Sequence, residues 1–183
     1  MNRLFASLLL LASAAFAQLA SPARPVASIN IDQPHLSFDI VQKIERQFDQ
    51  KLGTPGLKEP FDLIGPTRGL YMQGYGMVLT AEVDLIVVPG AYALIRHTPT
   101  GEEKAQIHAR KLEQLRILEQ AMRDMLTSSA QQLDIMPQTE HVVLAVRLLY
   151  KPWEDTSNLP TQILMSADRK SAIAGQIKEE SSK

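Results

Sequence analysis

The sequence predicts an α+β protein. A two-layer sandwich is expected, with an antiparallel sheet of about four strands carrying two helices in the order αββαββ, behind an N-terminal signal peptide. Three observations lead there. Two stretches repeat their apolar residues at helical spacing, several shorter ones alternate at period two, and the first seventeen residues have the make-up of an export signal.

Asn2 and Arg3 form a short basic start, Leu4 to Leu11 an apolar run continued by Ala, Ser and Phe, and Ala15-Phe16-Ala17 a small-x-small site. That order is the order of a secretory signal, cleaved here between Ala17 and Gln18, and its apolar core is too short to span a bilayer comfortably. The mature chain is therefore expected to be exported, to the periplasm or out of the cell, with no transmembrane segment. The chain has no Cys, which excludes a lipoprotein anchor, disulfides, thiolate metal sites and a cysteine nucleophile. Neither Asn30 nor Asn158 stands in an N-x-Ser/Thr pattern, and a small exported chain without disulfides or glycosylation sites fits a bacterial envelope.

Loss of Arg3 with the signal takes the 19 basic residues to 18, against 20 acidic ones. Basic and acidic residues are interleaved rather than gathered in a stripe, so no nucleic-acid partner is expected. The 166 residues after Ala17 suit one domain, and 45% apolar content over the chain suffices for one core.

Residues 18–33 read as a flexible linker, because Ser21-Pro22-Ala23-Arg24-Pro25 has no sustained period. A single α+β domain is expected over 34–168. Its first helix runs from Pro34 or Leu36 to Leu52, since Leu36, Ile40, Ile44, Phe48 and Leu52 recur every four residues and Val41 widens the stripe. Asp32 or Gln33 is the expected cap, and Gly53 the stop. A Gly- and Pro-rich connector to Pro66 has room for a short strand at Phe61 to Ile64. From Met77 to Val88 the period is two, with Met77, Leu79, Ala81, Val83, Leu85 and Val87 on one side and Thr80, Glu82 and Asp84 on the other. Arg68 to Met72 is its expected hairpin partner through Gln73-Gly74-Tyr75-Gly76.

Thr100 and Glu103 form a capping box for the second helix, whose stripe is Leu112, Leu115, Leu118, Met122, Met125 and Leu126. That helix exceeds thirty residues on this reading, long enough for self-association through it. Val142 to Tyr150 is apolar on both faces, which predicts a central strand, and Thr161 to Ala167 a last one. Residues 169–183 are polar and read as a partly disordered tail.

Motifs for catalysis are scarce. There is no G-x-S-x-G, no phosphate loop and no H-E-x-x-H, and Gly74-Tyr75-Gly76 lacks the third glycine and following helix of a dinucleotide loop. His97 and His108 could meet near Glu102 or Glu103, but His35, His97, His108 and His141 lack zinc-like spacing and read as surface residues. No metal ligand and no cofactor is expected. Glu82 and Asp84 form an acidic stripe, read as a solvated sheet face with Arg147 as cross-strand partner. Arg68, Tyr75 and Trp153 are the candidate interaction surface, because loop aromatics supply rigid contact area. The segment Gly69 to Gly76 has a compact Gly and aromatic pattern to which no chemistry attaches.

The expected function is that of an exported, non-enzymatic protein-interaction domain with an envelope or extracellular protein as partner. The alternative is a small exported hydrolase whose His/carboxylate site is not visible in sequence spacing.

Overall fold

The computed structural model describes residues 36–53, 60–87 and 99–182. The signal segment, Ala17 and Gln18, the linker 18–33, His35 and His97 lie outside them.

Helix α1 (Phe38–Gly53) buries Val41, Ile44, Phe48 and Leu52. It starts later than the apolar spacing suggests. Ser37 opens it, taking the Asp39 N–H on its hydroxyl at 3.3 Å and the Ile40 N–H on its carbonyl at 3.0 Å, so the first orphan donors are met there. Strands β1 (Asp62–Leu63) and β2 (Arg68–Met72) follow, then β3 (Gly76–Asp84). Helix α2 (Gly101–Gln132) carries the expected capping box: Thr100 Oγ1 accepts the Glu103 N–H at 3.2 Å, and Glu103 Oε2 accepts the Thr100 N–H at 2.7 Å. Its 32 residues span about 48 Å at 1.5 Å per residue, and none from Gly101 to Arg110 is buried. Strands β4 (His141–Leu148) and β5 (Gln162–Asp168), helix α3 (Arg169–Ile173) and strand β6 (Lys178–Ser182) complete the chain. No described helix is long and apolar enough to cross a membrane.

The sheet is mixed and six-stranded, which corrects the expected antiparallel sheet of about four strands. Both β1 and β2 pair antiparallel with β3, β3 pairs parallel with β4, and β4–β5 and β5–β6 are antiparallel. The parallel pair has a physical origin: strands joined by a tight turn must run antiparallel, whereas a long helix between them carries the chain back to start again at the same end. Alternation in β3 reported one solvated face correctly, but says nothing about the direction of the neighbouring strand.

The polar tail is also corrected. Asp168 caps α3, accepting the Ser171 N–H at 2.8 Å and its hydroxyl at 2.7 Å, and these bonds hold the Asp168 carboxyl below its usual range. Gly175, at φ 74°, turns the chain, and Lys178 to Ser182 then adds an edge strand to β5. An edge strand is stabilised by its backbone ladder and blunted by charge, so its polarity was no sign of disorder. Glu179 is further tied to Arg123 of α2.

One face of the sheet meets the helices. Met77, Leu79, Ala81 and Val83 of β3, Val142, Leu144, Val146 and Leu148 of β4, and Ile163 and Met165 of β5 share a single cluster with the buried residues of α1 and α2. The central position expected for β4 holds, between β3 and β5. On the opposite face, paired residues form rows across the strands: Glu82, Arg147 and Gln162; Arg68, Thr80, Ala145 and Leu164; Leu70, Val78, Val143 and Ser166. Arg68, Leu70, Met72, Thr80, Arg147 and Gln162 are exposed there.

Candidate functional site

The Gly69 to Gly76 segment turns out to be a knot of close contacts. Outward N–H groups at the start of β2 are met by α1: Asp49 Oδ1 accepts from the N–H of Thr67, just before the strand, at 2.9 Å and from its hydroxyl at 2.5 Å, and Glu45 Oε1 accepts from the Gly69 N–H at 2.6 Å. The match is geometric. Four helical residues rise about 6 Å and two strand residues about 6.6 Å, so carboxylates at i and i+4 reach donors at i and i+2. At Gly69 a Cβ would lie 2.8 Å from Val41 Cγ1 and from Met77 Cε, so any larger residue would force those side chains to move. At Gly76, φ is 130° and a Cβ would lie 1.9 Å from the His141 carbonyl oxygen, so only glycine fits.

Glu140, buried just before β4, closes the hairpin end. Its Oε2 accepts from the Tyr71 hydroxyl and its Oε1 from the Gly74 N–H, both at 2.9 Å. Burial, then the bond to Glu140 and its charge, push the Tyr71 hydroxyl up to about 12. Tyr75 stacks on His141 with ring centroids 5.6 Å apart, and the His141 N–H donates to the Tyr75 carbonyl at 2.7 Å.

A second cluster lies at the other end of β3. Lys111 of α2 has a side chain only 1% exposed, with Nζ 2.8 Å from Asp84 Oδ1 and 2.6 Å from Glu154 Oε2. The Tyr150 ring centroid lies 5.0 Å from the same nitrogen, and Lys151 Nζ stands 3.9 Å from Asp84 Oδ2. The Tyr150 hydroxyl donates to the Pro160 carbonyl at 2.6 Å; burial, then the nearby Glu154 and Asp84 charges, raise it well above the usual phenol range. Two carboxylates and a lysine shut from water compensate one another, because each alone would carry a heavy desolvation cost. Half-buried His108, one turn before Lys111, has Nδ1 2.9 Å from the Asp155 carbonyl; a carbonyl only accepts, so that nitrogen donates.

The expected acidic stripe is thus split. Glu82 stays on the open face, where it registers with Arg147 and meets its Nη1 at 3.3 Å. Asp84, the last residue of β3 and 3% exposed, is drawn to Lys111 of α2. At a strand end the pleat no longer dictates direction, and Lys111 supplies the counter-charge that offsets the desolvation of the buried Asp84 carboxylate.

The candidate interaction residues are likewise dispersed. Tyr75, 46% exposed, sits beside the first residue of β4, while half-buried Trp153 lies five residues past its last. The seven steps along β4 alone separate these ends by about 23 Å. Arg68 is on the open face of β2, at the rim of a cleft of about 470 Å³ lined by Ile64, Gly65, Pro66, Thr80, Glu82, Ala145, Arg147 and Gln162 among others. Sequence reasoning missed Lys111 and Glu154 altogether. The available signal was phase: Lys111 stands four residues before Leu115 and seven before Leu118, in register with the buried stripe. Among the described residues, no group of three or more His, Asp or Glu could hold a metal ion.

Comparison of the chain with protein-family models, with curated proteins and with solved structures finds no match in any of the three.

Proposed function

We propose that the mature chain works outside the cytoplasm as a protein-interaction domain, and that its contact surface is the open face of the sheet. The observation that carries this reading is the placement of exposed apolar side chains. Of the large apolar side chains exposed among the described residues, Ile64 at 44%, Leu70 at 59%, Met72 at 40% and Tyr75 at 46% lie along β2 and its flanks, while Phe38, Val87, Ile135 and Ile173 stand apart on other segments. Isolated exposed apolar residues are ordinary, whereas a contiguous group rimmed by charge favours a partner. Export rests on the composition of Met1 to Ala17, and an envelope or extracellular protein is the partner class that follows from it. The hydrolase reading is weaker, because Asp84 is occupied by Lys111 rather than facing a histidine in a deep pocket.

The test is capture of envelope proteins by the immobilised mature chain, with Leu70→Glu and Met72→Glu against wild type and Ile173→Glu as a distant control. The first two should lose a band that wild type and control retain, with melting curves unchanged. Equal capture by all four proteins would overturn the assignment of this face.

A further inference from the structure

The cleft beside β2 holds cationic side chains of unequal commitment. Arg147 is engaged by Glu82 at 3.3 Å. Among the described residues, the Arg68 guanidinium has no hydrogen-bond or ion-pair partner, although it lines the same cleft. Arg68 pairs across the sheet with Thr80, which pairs with Ala145, and Arg147 stands two residues further along β4. Ala145 contributes only a methyl group, so the floor between the two long side chains stays low. Counting Arg68, Arg147 and Glu82, the cleft has a surplus of one positive charge.

We propose that this cleft is a carboxylate-binding subsite, in which Arg68 and Arg147 receive an acidic side chain of an extended peptide segment. The inference rests on the protein-interaction reading and names the chemistry of the partner. A guanidinium presents a rigid fork of donors that matches a carboxylate, and an unpaired fork beside one already holding a carboxylate is set for a second. The choice of a peptide over a small acid comes from what adjoins the cleft. Leu70 and Met72 continue the same face of β2 at two-residue steps of about 6.6 Å, the repeat at which an extended peptide presents alternate side chains. An acidic residue over Arg68 therefore places the residues two and four positions away over Leu70 and Met72, where apolar side chains fit.

The probe is a fluorescein-labelled peptide, Ser-Val-Ser-Val-Ser-Glu-Ser-Val-Ser-Val-Ser, blocked at both ends, whose valines serve either strand direction. Its counterpart has Gln in place of Glu. Fluorescence anisotropy with the mature protein should show saturable binding of the Glu peptide, weakened about tenfold or more in the Gln peptide and weakened by added salt. Arg68→Gln should weaken the Glu peptide by a similar factor while leaving the Gln peptide unchanged, and Arg68→Lys should recover part of the loss. Arg68 is exposed, so an unchanged melting curve is expected for both variants. If Arg68→Gln binds both peptides as wild type does, the subsite is wrong; should partner capture still depend on Leu70, the interaction reading stands without it. Displacement of the peptide by glutarate at concentrations no higher than the unlabelled peptide requires would overturn the choice of a peptide. Indifference of both peptide binding and capture to Leu70→Glu and Arg68→Gln would overturn both proposals.

Discussion

At the scale of single residues, a few charged side chains stand in places where apolar residues would be routine. Lys111 occupies a core position of α2 between Asp84 and Glu154. Lys111→Met should cost about 3–5 kcal/mol, because it strands two carboxylates out of water, while adding Asp84→Asn and Glu154→Gln should return at least about 2 kcal/mol. Urea denaturation of the single and triple variants checks this; a single variant within about 1 kcal/mol of wild type would show the cluster to be hydrated. Tyr71 offers a pH signature. Its hydroxyl is neutral when protonated and its folded value, about 12, stands above the ordinary 10.0, so the folded chain holds this proton more tightly than the unfolded one. The resulting stability is fully present below about pH 10 and is lost as pH rises toward 12. Melting temperature should fall over that window, and Tyr71→Phe should flatten the fall; an identical decline in both proteins would place the titration elsewhere.

At the scale of elements, the strands show how far periodicity reaches. Val83 is fully buried, whereas Glu82 lies on the open face in an ion pair whose partners are 45% and 68% exposed. Val83→Asp should therefore unfold the domain or destabilise it by more than about 4 kcal/mol, since an ionised carboxylate would enter the core without a partner. Glu82→Ala should cost no more than about 1 kcal/mol, the range of exposed salt bridges. Circular-dichroism melts of the two variants check the register, and comparable losses would contradict it. The helices were equally legible in pattern and less so at their ends. The Thr100 and Glu103 box was readable as four letters, but Ser37 displaced the earlier start of α1 because a hydroxyl beside the first free N–H groups caps better than spacing can foretell.

At the scale of the whole molecule, the two edges of the sheet are managed differently. Helix α1 covers the β2 edge through Glu45 and Asp49, and β6 closes the other side with charged residues, which leaves the open face rather than an edge as the available surface. The proposed export of the molecule rests on its first seventeen residues. Intact-mass measurement of exported material should give a species beginning at Gln18, because Ala15 and Ala17 suit the small pockets of signal processing. A dominant species retaining Met1 and Arg3 would contradict cleavage.

By itself the sequence determined the α+β class, the burial phase of α1 and α2, the capping box, the β2–β3 hairpin and the solvated side of β3. Each of these depends on residues close in the chain, where local geometry and alternation leave a direct imprint on composition. Tertiary structure alone decided the parallel pairing of β3 with β4, the docking of β6, the pairing of Glu45 and Asp49 with β2, and the capture of Asp84 and Glu154 by Lys111. Those choices join positions from 12 to 65 residues apart, and they are settled by which donors, charges and strand edges meet once the chain is folded. The cleft between Arg68 and Arg147 belongs to this second group, since its walls come from β2 and β4 and its floor is the small side chain of Ala145.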